Sequence, residues 1–458
     1  MLRRQVIVGG VAGLSAVLAA ACGPQPGGGA AGGGETAAAP RGVGQTETSL
    51  LWQEELPPDV EQGLDAFLAE WRQKYPKVKI EAVNYGGGDS QKIEKILAQA
   101  AGGTPVDVVG KLTFMQPLAR PGAVRPLEPF IKRDRVDLGQ FNKGWLERFG
   151  TLDGKLYSLP WGLGGDAMAF IYSTDALREV GLKPPSADWK SPFTYDEYRD
   201  YARRLTKRDG DNYLRVGAEG LGNELSVPPR EFEGKWLSDD GKTVVCDSQQ
   251  MVDAYTRYTD LIIKDRSTAV TPGVTLSASG NDGHFSNGQA AMSYIGGWQM
   301  NFFTNPTRYK VDYAIATFPK GTKSSPAIDA IQLALGNNTR SPEEAWAFMG
   351  WLLEGARYAN VVNRMPATEK DAAAWSKRAF KDVPATAGVQ TLIDSIAVAI
   401  PPDASLAHPA AVQIEKEGQA PFWADVLAGK TNVKDGLTEA KRRTGRATTG
   451  TGTRGGGR

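Results

Sequence analysis

The sequence predicts an α/β fold with a mainly parallel sheet, on three observations. Between residues 48 and 110, runs of strand length alternate with runs of helical period. The same alternation resumes after residue 190, with capping residues where helices should start. The chain has 458 residues, 23% charged and 41% hydrophobic, which is ordinary globular composition with room for two or three domains.

The N-terminus reads as a processing signal spanning 1–21. Arg3-Arg4 is a charged n-region, Val6–Ala19 a modest apolar run, and Ala19-Ala20-Ala21-Cys22 places small residues before a cysteine. The apolar run is too short for a membrane span. One reading is an ordinary cleaved signal with Cys22 incidental. The other is a bacterial lipoprotein signal, which the set resembles, although leucine is not third before the cysteine. The Gly/Pro/Gln/Ala-rich stretch that follows favours lipidation of Cys22 on a flexible tether over 22–47. Several acyl chains would then hold the protein at a membrane surface. Arg3-Arg4-Gln5-Val6-Ile7 also loosely resembles a twin-arginine signal, so the export route stays open. With Cys22 acylated, Cys246 has no partner and the fold rests on its core without a disulfide.

Ser49–Trp52 is a strand candidate. After Pro57-Pro58, Leu64, Phe67, Leu68 and Trp71 fall on one helical face. Lys77–Val83 alternates as a strand, and Tyr85-Gly86-Gly87-Gly88 breaks it. Asp89 or Ser90 is expected to cap a helix with Ile93, Ile96, Leu97 and Ala100 inward, ended by Gly102. Val106–Val109 is a buried-type strand.

The central stretch Asp153–Leu177 holds two strand-like runs around Gly162-Leu163-Gly164-Gly165 and Asp166. Locally it reads as a hairpin inside one domain; a crossing between two lobes is the alternative. Further on, Thr194-Tyr195-Asp196-Glu197 is a capping box for a helix to about Lys207. Gln250–Ile263 is helical. His284–Trp298 runs from a helical turn into a strand ending in Gly-Gly-Trp, and Tyr313–Phe318 is a strand. Ser341-Pro342-Glu343-Glu344 combines proline at the first helical position with a second capping box. The Thr/Gly/Arg-rich residues 442–458 read as a disordered tail.

A net charge of +1 lacks the basic face that nucleic-acid binding needs. Neither HExxH, GxSxG nor a phosphate-binding GxxxxGK[ST] loop is present, and the two cysteines have no histidine nearby in sequence. Gly162–Ala167 fits a permissive GxGxxA pattern, but a strand follows it where a dinucleotide site needs a helix. With two histidines and two cysteines, no transition-metal site and no cofactor are expected. The 52 acids offer many carboxylate pairs, so a secreted glycoside hydrolase stays open as an alternative, as does a glycan-binding surface adhesin.

Four segments in order then carry a family resemblance: VKIEAVNYGGG…KILAQAAGGTPVDVV; GKLYSLPW…DAMAFIYSTDAL; FSNGQAAMSYIGGW with DYAIATFPKG; and SPEEAWAFMGWLL with the later PFWADVL. Behind a lipoprotein-like signal, this order resembles the extracellular solute-binding proteins of ATP-binding-cassette importers, in particular the maltose-binding-protein-like sugar binders. The resemblance implies a two-lobed α/β fold of the periplasmic-binding-protein type, with hinge strands and a ligand cleft. It divides the chain into lobe 1 over 48–162, lobe 2 over 163–290, a lobe 1 return and hinge over 291–335, and a lobe 2 return with C-terminal helices over 336–441. It makes the central stretch an interlobe crossing. It implies a monomeric, non-enzymatic receptor that hands a mono- or oligosaccharide to permease subunits served by a separate ATPase chain.

The resemblance also implies site residues. Asp166 aligns with an acidic ligand-contacting position, and Trp298 and Trp423 with sugar-stacking tryptophans. Tyr85 and Trp161 lie on loops after strands, where open α/β sheets bind ligands, and Glu54 follows the first strand. Carboxylates pair with sugar hydroxyls and indoles cover sugar faces. Each also has a plainer reading: Asp166 as a salt-bridged hinge residue, the aromatics as core plugs or lids. Trp236 and Trp351 read as packing, and Arg364 as structural. Lys111 and Thr113 stand where relatives often carry an aromatic or an aspartate, which points away from a maltose-like ligand.

Overall fold

The computed structural model describes residues 42–56, 58–164, 169–219, 227–274, 276, 283–296, 299, 309–324, 326, 330–381, 388–398 and 403–450. In chain order its main elements begin with β1 (Thr48–Glu54), α1 (Ala69–Lys74), β2 (Val78–Asn84), α2 (Asp89–Ala101), β3 (Val108–Leu112), β4 (Ser158–Leu163) and β5 (Ala169–Ser173). They continue with α3 (Tyr195–Leu205), α4 (Gln249–Thr259), β6 (Met292–Ile295), β7 (Tyr313–Thr317), β8 (Ala330–Leu335) and α5 (Pro342–Leu353). The last are α6 (Glu369–Ala379), α7 (Val389–Val398), α8 (Ala420–Leu427) and α9 (Val433–Gly450).

Two sheets organise these elements. The first has order β2-β1-β3-β8-β4; β1 runs parallel to β2 and β3, and β8 is antiparallel to β3 and β4. The second has order β6-β5-β7, with both neighbours antiparallel to β5. The expected parallel character therefore holds only for the β2-β1-β3 part of the first sheet.

Alternation along the strands builds a core on each face. In β5, Phe170 and Tyr172 join Tyr198, Tyr255 and Phe422 on one side, while Ala169 and Ile171 join Trp375, Val389 and Leu392 on the other. In the first sheet, Leu50, Trp52 and Leu333 face Trp71, Phe348 and Tyr358, and Val109 and Ala334 face Ile93, Ile96 and Met115. Burying such side chains contributes about 1.5–3 kcal/mol each, which explains why β5, at the centre of its sheet, carries apolar residues on both faces.

The chain passes repeatedly between the sheets. β4 ends in the first and β5 begins in the second, so the glycine-rich stretch joins two sheets and the local hairpin reading is set aside. β7 to β8 returns. A third passage follows: Leu163 N–H donates to Met365 O at 2.8 Å, while Ala372 and Trp375 sit in the second core. Gly162 makes this close approach possible, since a Cβ there would lie 3.3 Å from Arg364 Cδ. A fourth tie comes near the C-terminus, where Val412 joins the Ile93–Ile96 core and Ser90 bonds Glu415, before α8 and α9 pack in the second core.

Several expectations change. β6 and β7 pair with β5, so these two strands belong to the second sheet and only β8 returns to the first. α5 and Tyr358 pack on the first core, although 336–441 was assigned to lobe 2. Strand pairing and helix docking are non-local, and a one-dimensional division does not register them. The Thr194 capping box forms, with its side chain taking the Glu197 N–H at 3.2 Å. The Ser341 box does not: Ser341 makes no side-chain cap, and Glu344, at the position that would close the box, is buried. Residues 442–450, expected to be disordered, continue helix α9; Thr444 and Ala447 are buried there, with Thr444 against Gly418. Burial against the preceding helical segment outweighs the poor helical propensity of a Thr/Gly-rich run.

One glycine gives a direct test of the first sheet. A Cβ on Gly336 would lie 1.7 Å from Val106 O. Gly336→Ala is expected to lower unfolding stability by about 1–3 kcal/mol, read as a shifted urea midpoint. An unchanged midpoint would show that the β8 end does not approach Val106 so closely.

Candidate functional site

The C-terminal ends of β1 and β3 meet the β4 crossing, and charged residues gather there. β1 ends at Glu54, which is 1% exposed. Its Oε1 accepts the Glu55 N–H at 3.0 Å, and its Oε2 finds no hydrogen-bond partner among the described residues. The carboxyl lies against Gly110, where a Cβ would come within 2.0 Å of Oε2. Burial pushes the Glu54 carboxyl up to about 7, opposed by Lys111 and Lys92.

Glu55 accepts two ammonium groups, Lys92 Nζ at 2.5 Å and Lys111 Nζ at 3.3 Å. Burial pushes its carboxyl up, but the two lysines together hold it below the usual range. Lys92 sits in the first turn of α2, where Asp89 Oδ1 also lies 3.5 Å away. Burial works against its charge, yet Asp89 and Glu55 keep the ammonium above its ordinary value. Asp89 or Ser90 was expected as the α2 cap. Gly88 takes that place, and Asp89 Oδ2 instead accepts the Thr113 N–H at 3.2 Å. Lys111 follows on β3 with φ of 54°, a left-handed backbone unusual outside glycine. Burial and the nearby Arg364 guanidinium hold its ammonium below the ordinary lysine range.

Aromatic rings complete this end of the sheet. Trp161 on β4 is 4% exposed; its ring centroid lies 4.7 Å from that of Tyr358, and the Arg364 guanidinium lies 5.8 Å over it. Its indole N–H has no partner among the described residues. The Tyr85 N–H donates to Glu54 O at 2.8 Å, but its hydroxyl turns to Gln53, 3.4 Å away, and to Gln99. Trp423 on α8 is 7% exposed and packs 5.5 Å from Tyr255 in the second core. It is a core ring here, with no part in this cluster.

Of the residues anticipated from sequence, Glu54, Thr113 and Trp161 are thus brought together, Tyr85 touches the group through its backbone, and Trp423 does not join it. Asp166, Trp298 and Cys22 lie outside the described residues. Glu55 and Lys92 were missed. The sequence carried a signal for Lys92, since a lysine four residues before Ile96 falls on the buried face of α2. Trp236 and Trp351 are buried in the two cores.

An open recess lined by Thr194, Tyr195, Asp196, Phe232, Arg257 and Lys320 lies at the start of α3 and shares no residue with this cluster. Arg257 there pairs with Asp196 at 3.3 Å, and the candidate site is placed at the β1–β3 end, where the Glu54 and Glu55 carboxyls and the two lysines gather. Among the described residues, no group of three His, Cys, Asp or Glu side chains is placed to hold a metal, and no helix is long and apolar enough to cross a membrane.

The family model for bacterial extracellular solute-binding proteins matches residues 57–354, more than half of the chain. The chain belongs to this family. The solute-binding protein therefore falls in a class of exported binding proteins, and its fold is shared with solved members. An ABC substrate-binding protein from Listeria monocytogenes in complex with cycloalternan is 20% identical, with a TM-score of 0.70 over 88% of this chain and 99% of that one. A solute-binding protein from Thermotoga lettingae bound to α-D-tagatose is 18% identical, with a TM-score of 0.70 over 88% and 100%. The maltose/maltodextrin-binding domain from Bdellovibrio bacteriovorus bound to maltotriose is 18% identical, with a TM-score of 0.68 over 87% and 99%. The two sheets and their cores are thus the two lobes of this fold, and the crossing segments lie between them.

Proposed function

We propose that this solute-binding protein captures a saccharide between its lobes and delivers it to an ABC permease whose ATPase is a separate chain. It acts as a monomer, tethered through lipidated Cys22, and performs no covalent chemistry on its solute. The observation that supports this most is the buried Glu54 carboxyl with an unmatched oxygen, set beside Trp161 and the charged pairs at the crossing. A carboxyl oxygen without a protein partner suits a sugar hydroxyl, and an indole suits the apolar face of the ring. The saccharides named with the structural relatives point the same way. Asp166 and Trp298, which lie outside the described residues, are proposed to take part in the lining as well.

A thermal-shift screen over mono- and oligosaccharides tests the reading, since a ligand that binds only the folded state raises the melting temperature by mass action. At least one saccharide is expected to stabilise the protein and change its tryptophan fluorescence, and to be recovered intact. Stabilisation by amino acids or polyamines alone would contradict the carbohydrate reading, and release of shortened sugars would favour a glycoside hydrolase.

A further inference from the structure

We propose that the segment Asp403–Gln419 is a latch: lobe 2 carries it at both ends, and the stretch around Val412–Lys416 grips lobe 1 when the lobes close. The latch acts whatever solute the cleft takes.

Both ends of the segment belong to the second lobe. Asp403 Oδ2 accepts the Trp236 N–H at 3.0 Å, and Trp236 is buried in the second core. At the other end Gly418 lies against α9, where a Cβ would come 3.7 Å from Ala440 O, and Ala440 sits in the same core. Between these anchors the chain enters lobe 1. Leu406 and Ala407 pack on Phe114 and Phe149. Val412, 4% exposed, plugs the cluster of Ile93, Ile96 and Val109. Beside this plug, Ser90 bonds Glu415 and Glu94 pairs with Lys416.

The position of these contacts separates a latch from a hinge. The three crossings meet at one edge of the first sheet: Leu163 of β4 pairs with Ala330 of β8, and its N–H donates to Met365 O. Val412, Glu415 and Lys416 instead hold α2. That helix starts over β1 and β3, where Lys92 reaches Glu55 and Asp89 accepts the Thr113 N–H. In the order β2-β1-β3-β8-β4 this is two to three strand spacings from β4, about 10–15 Å. Rotation about the crossings therefore carries α2 several ångströms from the segment, more than a hydrogen bond or an ion pair tolerates. Leu406 and Ala407 lie beside Ala330, near the axis, and can stay in place. Among the described residues the segment makes no backbone hydrogen bond to lobe 1, so it holds there by one apolar plug and two solvent-facing polar pairs. Such contacts break and re-form without disturbing a sheet. They favour the closed arrangement before any solute arrives, which leaves less of the closing cost to the solute.

The test reads the distance between spin labels at Lys79 on β2 and Asp200 on α3 in the exported protein without solute. Glu94→Lys turns the pair with Lys416 into repulsion, and is expected to shift weight from the short to the long distances about two- to fivefold. Lys416→Glu should act alike, and the two together should restore the original distribution, because the pair re-forms with its charges exchanged. Val412→Ala trims the plug by a different chemistry and should shift weight the same way. Distributions that none of these variants moves, or a double variant in which the two single effects add, would overturn the latch and leave the segment as part of the hinge. No solute enters these measurements, so the saccharide reading stands or falls separately.

Discussion

Replacing Trp52 with alanine is expected to lower the free energy of unfolding by about 3–5 kcal/mol, the range for deleting a large buried aromatic. The ring is fully buried in β1 and meets Tyr358 at 4.9 Å and Phe348 at 5.4 Å, both edge-on. Those partners belong to α5 and the helix after it, so the indole binds the first sheet to segments some three hundred residues away in sequence. Its removal leaves a cavity that Phe67, itself 6.4 Å away, fills only in part. The check is urea unfolding of the variant by circular dichroism. A loss below about 1 kcal/mol would show that this side of the first lobe is loosely packed. Trp52 also stands two residues before Glu54 on the same strand, so the variant should disturb the solute site as well as the core.

Glu54 is expected to make stability fall as pH rises. Its carboxyl titrates near 7 in the folded protein and near 4.5 when free, so between these values the folded state holds a proton that the unfolded state has lost. The contribution is fully present below the unfolded value and disappears as pH climbs through the folded one. The slope approaches about 1.4 kcal/mol per pH unit and sums to the order of 3 kcal/mol across the window. Glu54→Gln removes the titration while keeping shape and polarity. The difference in unfolding free energy between wild type and Glu54→Gln should therefore shift in favour of the variant from about pH 5 to pH 7 and level off by about pH 8. A difference that is flat, or that favours the wild type as pH rises, would mean that the carboxyl is ionised in the fold and has a partner.

What the sequence showed and what it hid follow one physical division. Local signals were legible. The Thr194 capping box, the inward face of α2 and the strand-length apolar run at β5 each depend on residues a few positions apart. Pairing between distant segments was not legible. The placement of β6 and β7 beside β5, the docking of α5 on the first core and the burial of Thr444 under the preceding helical segment are set by tertiary contacts that no local period encodes. The failed Ser341 cap is the same lesson at small scale, since Glu344, the residue that would close the box, is buried by the tertiary packing of α5. At the candidate site, Glu54 and Trp161 were named from their places at strand ends, and the fold brings both to the same end of the first sheet. Glu55 and Lys92 were missed because their importance lies in a shared carboxylate that only the fold assembles. Trp423, named by resemblance, packs against Tyr255 in the second core and stands apart from this group of residues.

The central claim is that two rigid lobes, joined by crossing strands, close on a saccharide held at the β1–β3 end. It is tested most directly by pulsed electron–electron distance measurement between spin labels at Lys79 on β2 and Asp200 on α3, both exposed and in different lobes. With a saccharide that binds in the thermal screen, the distance distribution should shorten and narrow as the hinge closes. An unchanged distribution at saturating saccharide would contradict the account.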